Sequence, residues 1–154
     1  DMYCEQATDY ARQEFAPAIF LDHQECTVMG RRFFGSPYSS CIFEPSIWHF
    51  DYPPLSDRAH RLWESIPAGI DVLITHGPPK GILDRVDSVH PGEDPNVGDP
   101  ILLKNVKRIN PKVHIFGHIH EGYGAHYDGW TEFHNVCICT VKYKPLNPIT
   151  VIDL

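Results

Sequence analysis

The chain has 154 residues, enough for one domain with a real hydrophobic core. Hydrophobic residues make up 42% and charged residues 21%, an ordinary globular composition, and the formal net charge of -7 leaves no basic footprint for a nucleic-acid polymer. No apolar run approaches 18 residues, so no membrane-spanning helix is expected.

Residues from about Tyr3 to Phe15 are polar with few breakers and are expected to be helical. Ala18-Ile19-Phe20-Leu21 is a short apolar run, followed by a turn at Asp22 to Glu25. Cys26 to Met29, Gly30-Arg31, then Arg32 to Phe34 predict a hairpin that Gly35-Ser36-Pro37 ends. Tyr38 to Pro54 is aromatic and irregular, the pattern of a long ordered loop, and such loops are often functional. Ser56 is a good N-cap for a helix over Asp57 to Ser65. After the break at Pro67-Ala68-Gly69 a strand is expected over Asp71 to Thr75. A loop rich in Pro, Gly, Asp and His runs from Gly77 to Gly98. Asp99 then caps a helix with Pro100 at its first position, and Leu102, Leu103, Val106 and Ile109 fall on one face. Asn110-Pro111 closes it before a strand over Lys112 to Phe116. Further strands are expected at Ala125 to Tyr127, Thr131 to Tyr143 and Ile149 to Asp153. The alternation of strands, helices and hairpins predicts a single α/β domain over residues 1–154.

The chemistry concentrates in two short motifs, Thr75-His76-Gly77-Pro78-Pro79 and Gly117-His118-Ile119-His120-Glu121. Each follows an apolar run directly, the pattern of a buried strand that delivers side chains to a rim. Neutral imidazole is the commonest protein metal ligand, and three of them suit a borderline transition metal. In an extended segment His118 and His120 would point to one side. Gly117 would let the backbone approach whatever is bound. The two prolines after Gly77 restrict the loop that holds His76. Glu121 is placed either as a carboxylate orienting a ligand imidazole or facing solvent. Tyr123 is placed either against a substrate base or in packing. Asp71 reads as a cap and Asp99 as a helix cap. Asn135 lines the rim or serves a turn. His114 alternates with Val113 and Ile115 and is expected on the opposite face. His23, His49, His60, His90, His126 and His134 lack ligand-like contexts.

The five cysteines are Cys4, Cys26, Cys41, Cys137 and Cys139, an odd count without zinc-knuckle spacing. Buried free thiols in a reducing compartment are the favoured reading, hence a cytoplasmic location. Cys137-Ile138-Cys139 lies in the strand expected there, with both sulfurs on one face. The opening residues are not a signal peptide, and the first residue is Asp1 rather than Met, as in a processed or truncated product.

The stretches Ile70 to Gly81, Val113 to Gly124 and Asn135 to Leu154 together resemble the calcineurin-like metallophosphoesterase superfamily, most closely its small metallophosphoesterase-domain subgroup. The likeness runs from about Ala18 to the C-terminus. It implies an α/β fold, a double β-sheet sandwich flanked by helices, with two divalent metals (Mn, Fe or Zn) at the sheet ends. By resemblance His76 and His118 would bind the second metal and His120 the first. Some subgroup members carry Gly at the position of His118. The implied reaction is phosphoester hydrolysis, on phosphodiesters that include cyclic nucleotides. The family's Asp-x-His, its bridging Gly-Asp and its Gly-Asn-His-Glu motifs do not occur in this sequence. Asp22-His23 has the wrong spacing, and Gly98-Asp99 follows His76 instead of preceding it. The match is therefore to the C-terminal portion of the domain, with no residue assigned as the catalytic acid. Three consequences are open at this point: a portion of an enzyme whose N-terminal half is a partner, a truncated self-assembling form, or a binder of one metal or a nucleotide.

Overall fold

The computed structural model describes residues 12–41, 50–87 and 90–154. β1 (Gln24–Val28) and β2 (Arg31–Ser36) form the expected antiparallel hairpin around Met29-Gly30. β3 (Ser39–Ser40) and β4 (Asp51–Tyr52) make a separate two-stranded parallel pair. Then follow α1 (Asp57–Glu64), β5 (Val72–Thr75), α2 (Pro100–Ile109), β6 (Val113–Phe116), β7 (Gly124–Tyr127) and β8 (Glu132–Asn135). The larger sheet has the order β1-β2-β5-β6-β8-β7. Its four inner strands are parallel, and β1 and β7 pair antiparallel at the two edges. Parallel neighbours need crossover connections. The segment holding β4 and α1 joins β2 to β5, and the Gly77 loop with α2 joins β5 to β6.

One row of side chains explains where the core lies. Phe34, Leu73, His114 and Phe133 are in register across the four inner strands, and all are buried. They meet Ala59 and Trp63 of α1 and Ile101, Leu102, Val106 and Ile109 of α2. Helix ends are fixed by the expected chemistry. The Ser56 hydroxyl accepts from the Ala59 amide at 3.2 Å. Asp99 Oδ1 accepts from the Ile101 and Leu102 amides at 2.7 and 3.1 Å. Asn110 closes α2 in the left-handed conformation. Arg108 donates from α2 to the Trp63 and Ile66 carbonyls at the end of α1, which ties the helices together. The buried Asp99 carboxylate also accepts from Trp63 Nε1 at 2.7 Å and from the Tyr52 hydroxyl, linking both helices to β4.

Several expected elements differ. The helix over Tyr3 to Phe15 lies mostly outside the described residues, of which 12–14 are helical. The long strand expected over Thr131 to Tyr143 is only Glu132–Asn135. Asn135 turns its carboxamide onto the chain and accepts from the Cys137 amide at 3.1 Å, while Asn147 donates to the Cys137 carbonyl at 2.8 Å. These side chains take over the backbone groups that a strand would have paired. Cys137 and Cys139 therefore do not share a strand face. Residues 149–153 form no strand, and Ile149 and Val151 are exposed. The segment from His118 to His120 is not extended: His118 has a φ of 69°, and His120 opens a 3-10 turn, His120–Gly122.

Candidate functional site

The parallel strands end on one side of the sheet, where ligands bind in open α/β sheets. Pro37 and Ser39 follow β2, His76 follows β5, His118 follows β6 and Cys137 follows β8. These residues line one cavity of about 360 Å³ together with His120, Asp51 and the rings of Phe50 and Tyr143. A cavity of that size suits a small organic ligand. The three histidines singled out from sequence thus come to one place.

His76 Nε2 and His118 Nδ1 face each other at 3.0 Å and share one hydrogen bond. The rings are tilted by 51° with centroids 4.7 Å apart. Gly77 leaves room for Ser39, whose Oγ a Cβ there would meet at 3.0 Å. The loop is anchored from both sides. The Gly117 amide donates to the His76 carbonyl at 3.0 Å, and the Asp99 amide donates to the Pro78 carbonyl at 3.1 Å. Burial lowers the His76 pKa, against the opposing pull of Asp51. Burial, then the neighbouring His76, holds His118 down to about 4. Both rings are thus held neutral, the form that offers a lone pair to a cation.

His120 is oriented differently. Its Nδ1 meets the Thr140 carbonyl at 2.9 Å and can only donate there, which leaves Nε2 as the lone-pair nitrogen. The Tyr143 ring stands edge-on to it with centroids 4.8 Å apart.

These donors bear on a metal in a graded way. Two nitrogens sharing a tetrahedral ion at bonds near 2.0–2.1 Å stand about 3.3 Å apart, so the spacing of the His76–His118 pair is within tenths of an ångström of what a divalent ion needs once it displaces the hydrogen they share. Among the described residues no three His, Cys, Asp or Glu side chains stand as a group able to hold an ion. His120 shares the cavity without converging on the pair.

The remaining expectations separate. Glu121 is exposed in the 3-10 turn, and Tyr123 donates its hydroxyl to the Pro148 carbonyl at 3.0 Å; neither lines the cavity. Asn135 is a structural clamp that holds the Ile119 carbonyl at 2.8 Å. Asp71 accepts from the Arg32 amide at 2.9 Å at the far end of the sheet. His114 lies on the face opposite Val113 and Ile115, as its alternation requires. Asp51, Cys137, Phe50 and Tyr143 escaped the sequence reading as wall residues. Only the aromatic, irregular character of Tyr38 to Pro54 hinted at two of them.

No protein-family model matches the chain. Metallophosphoesterase domain-containing protein 1 of Homo sapiens is 45% identical over 137 residues, covering 88% of this chain and 40% of that protein. The Mus musculus protein of the same name matches to the same extent. The chain belongs to the metallophosphoesterase-domain family. A UPF0046 protein of Caenorhabditis elegans is 36% identical over 148 residues, covering 94% of this chain and 34% of that protein. This family member therefore spans 40% of the length of its human and mouse relatives. A solved crystal structure superposes with a TM-score of 0.60 at 24% identity, covering 86% of this chain and 51% of that one. That likeness speaks for the α/β fold alone.

Proposed function

We propose that this chain contributes the histidine-rich part of a metal-dependent phosphoester hydrolase site, acting on phosphodiesters of the cyclic-nucleotide type. The observation that carries the reading is the approach of His76 Nε2 and His118 Nδ1 to 3.0 Å in a cavity that His120 also lines. In this reading His76 and His118 hold one divalent ion (Mn, Fe or Zn) and His120 serves a second. Bound there, such an ion supplies Lewis-acid stabilisation of charge developing on the phosphoryl oxygens. The protein's own part is positional. The Thr140 carbonyl fixes the tautomer of His120, and the Pro78-Pro79 loop holds His76. Gly117 does not line the cavity itself and acts through its amide, which holds the His76 carbonyl at 3.0 Å. Glu121 faces solvent beside His120, whose Nδ1 is already taken by Thr140, and Tyr123 stands as a contact for a larger substrate. The free thiols Cys26, Cys137 and Cys139 support a reducing, cytoplasmic setting.

No group in the sequence takes the acid or bridging roles of the family's other motifs, so the chain by itself has little phosphodiesterase activity. A second reading, a non-catalytic half-domain that binds metal or nucleotide or self-assembles, is favoured by the lack of a converged three-donor group among the described residues. The test is His118→Ala in the chain, with metal content by elemental mass spectrometry and hydrolysis of bis(p-nitrophenyl) phosphate. The variant is expected to retain less than about a tenth of the bound metal, since second-sphere changes alone cost 10–100-fold in affinity. Unchanged stoichiometry would remove His118 from the ligand set. Robust turnover by the wild-type chain would overturn the claim of low activity.

A further inference from the structure

Thr140 and Lys144 pair across a three-residue loop, with the Thr140 amide donating to the Lys144 carbonyl at 2.9 Å and an adjoining bridge between Cys139 and Pro145. The Tyr143 amide closes the turn onto the Thr140 carbonyl at 2.8 Å. Loops of this kind end in a left-handed residue, a position that favours glycine. Here that position is Tyr143, at a φ of 55°. A bulky residue there is a genuine outlier. Burial does not explain the choice, because Tyr143 is 81% exposed. Its ring reaches back to His120 and forms part of the wall of a cavity that the buried Phe50 also lines. The same Thr140 carbonyl that closes the turn also receives Nδ1–H of His120, so the turn positions the ring and the imidazole together.

We propose that Tyr143 is a specificity-determining residue, held in a strained turn so that its exposed ring stacks on a planar aromatic group carried by a phosphoester ligand. The inference rests on the phosphoester reading of the same cavity. A strained, exposed aromatic at a cavity mouth runs against stability, and exposed aromatic faces gain by stacking on flat ligands. A purely structural role makes the opposite prediction, because glycine suits that backbone better.

The experiment compares wild type, Tyr143→Gly and Tyr143→Phe. It reads the thermal midpoint, and calorimetric binding of phenyl phosphate and of methyl phosphate with and without manganese. Tyr143→Gly is expected to raise the midpoint by about 2–4 °C while weakening phenyl phosphate about tenfold and leaving methyl phosphate unchanged. Tyr143→Phe is expected to bind both as wild type does. A Tyr143→Gly protein that keeps the wild-type preference for phenyl over methyl phosphate overturns the inference. So does one that loses stability and both ligands in parallel. Manganese-dependent methyl phosphate binding tests the metal-site reading separately. If it is present without a phenyl preference, only the role of Tyr143 fails. If the phenyl preference depends on Tyr143 but not on metal, the metal-site reading fails and the aromatic stacking stands. Absence of binding by either ester overturns both.

Discussion

His114 shows how one residue carries both pattern and consequence. Its alternation with Val113 and Ile115 is readable from the sequence, and the in-register row from Phe34 to Phe133 confirms the face. Its hydrogen bonding is not readable there. The Thr75 hydroxyl donates to the Gly77 carbonyl at 2.8 Å, so at 2.9 Å it must accept from His114 Nε2–H. That tautomer leaves Nδ1 as a buried lone pair with no hydrogen-bond partner among the described residues. Complete burial lowers the His114 pKa to about 3. The sign follows from linkage. The unfolded chain takes up this proton near pH 6.5, and the folded chain resists it down to about 3. The stabilising contribution is therefore whole above pH 6.5 and is lost as pH falls through that window, at up to about 1.4 kcal/mol per pH unit. Urea unfolding of wild type and His114→Phe from pH 7.5 to 4.5 should show a shallower acid loss in the variant. Equal slopes would mean that His114 is not held neutral by the fold.

At the scale of elements, legibility followed locality. α1 and α2 could be read to within a residue or two, because Ser56, Asp99, Pro100 and Asn110 act on backbone groups only a few positions away. β5 and β6 could be read because buried parallel strands are continuous apolar runs. The stretch after Asn135 could not. Its alternation is strand-like, but the side chains of Asn135 and the distant Asn147 claim the backbone of Cys137, and nothing local announces a partner ten residues on. The site divided in the same way. His76, His118 and His120 are marked by glycine and by strand ends, whereas Asp51 and Tyr143 arrive through tertiary folding. The 3-10 turn carrying His120 depends on a close fit of the same non-local kind. A Cβ on Gly122 would lie 2.0 Å from the Leu83 carbonyl oxygen and 2.8 Å from Asn135 Nδ2. Gly122→Ala must push the turn away from the Gly77 to Gly98 loop. We expect a loss of about 1–3 kcal/mol by urea denaturation, in the range of an overpacked contact, with the His120 ring NMR signals displaced. A fully stable variant with unmoved His120 signals would show that the two loops do not pack as described.

The whole molecule joins a well-supported scaffold to a site that, among the described residues, lacks a three-donor metal cage. Its core face is closed by α1 and α2, and the carboxyl ends of its inner strands bring three histidines to one cavity. Among the described residues His76 and His118 converge without a third His, Cys, Asp or Glu forming a group with them, and the chain covers 40% of the length of its human and mouse relatives. An ion held by two imidazoles and water lacks the third and fourth protein ligands that make zinc sites tight. Both rings are held neutral, but one of the two facing nitrogens carries the hydrogen of their 3.0 Å bond, so an ion must displace that hydrogen to be held by both. The chain is therefore expected to bind about one manganese or zinc ion, weakly and reversibly, with its thermal midpoint rising as metal is added in excess. Metal content and intact mass measured on the same pure sample decide this. One weakly held ion that dialysis removes would place the remaining ligands outside this chain. Two ions that survive dialysis would mean that groups such as Asp51 or Cys137 close the cage after all, and substantial turnover by the chain alone would then be the consequence.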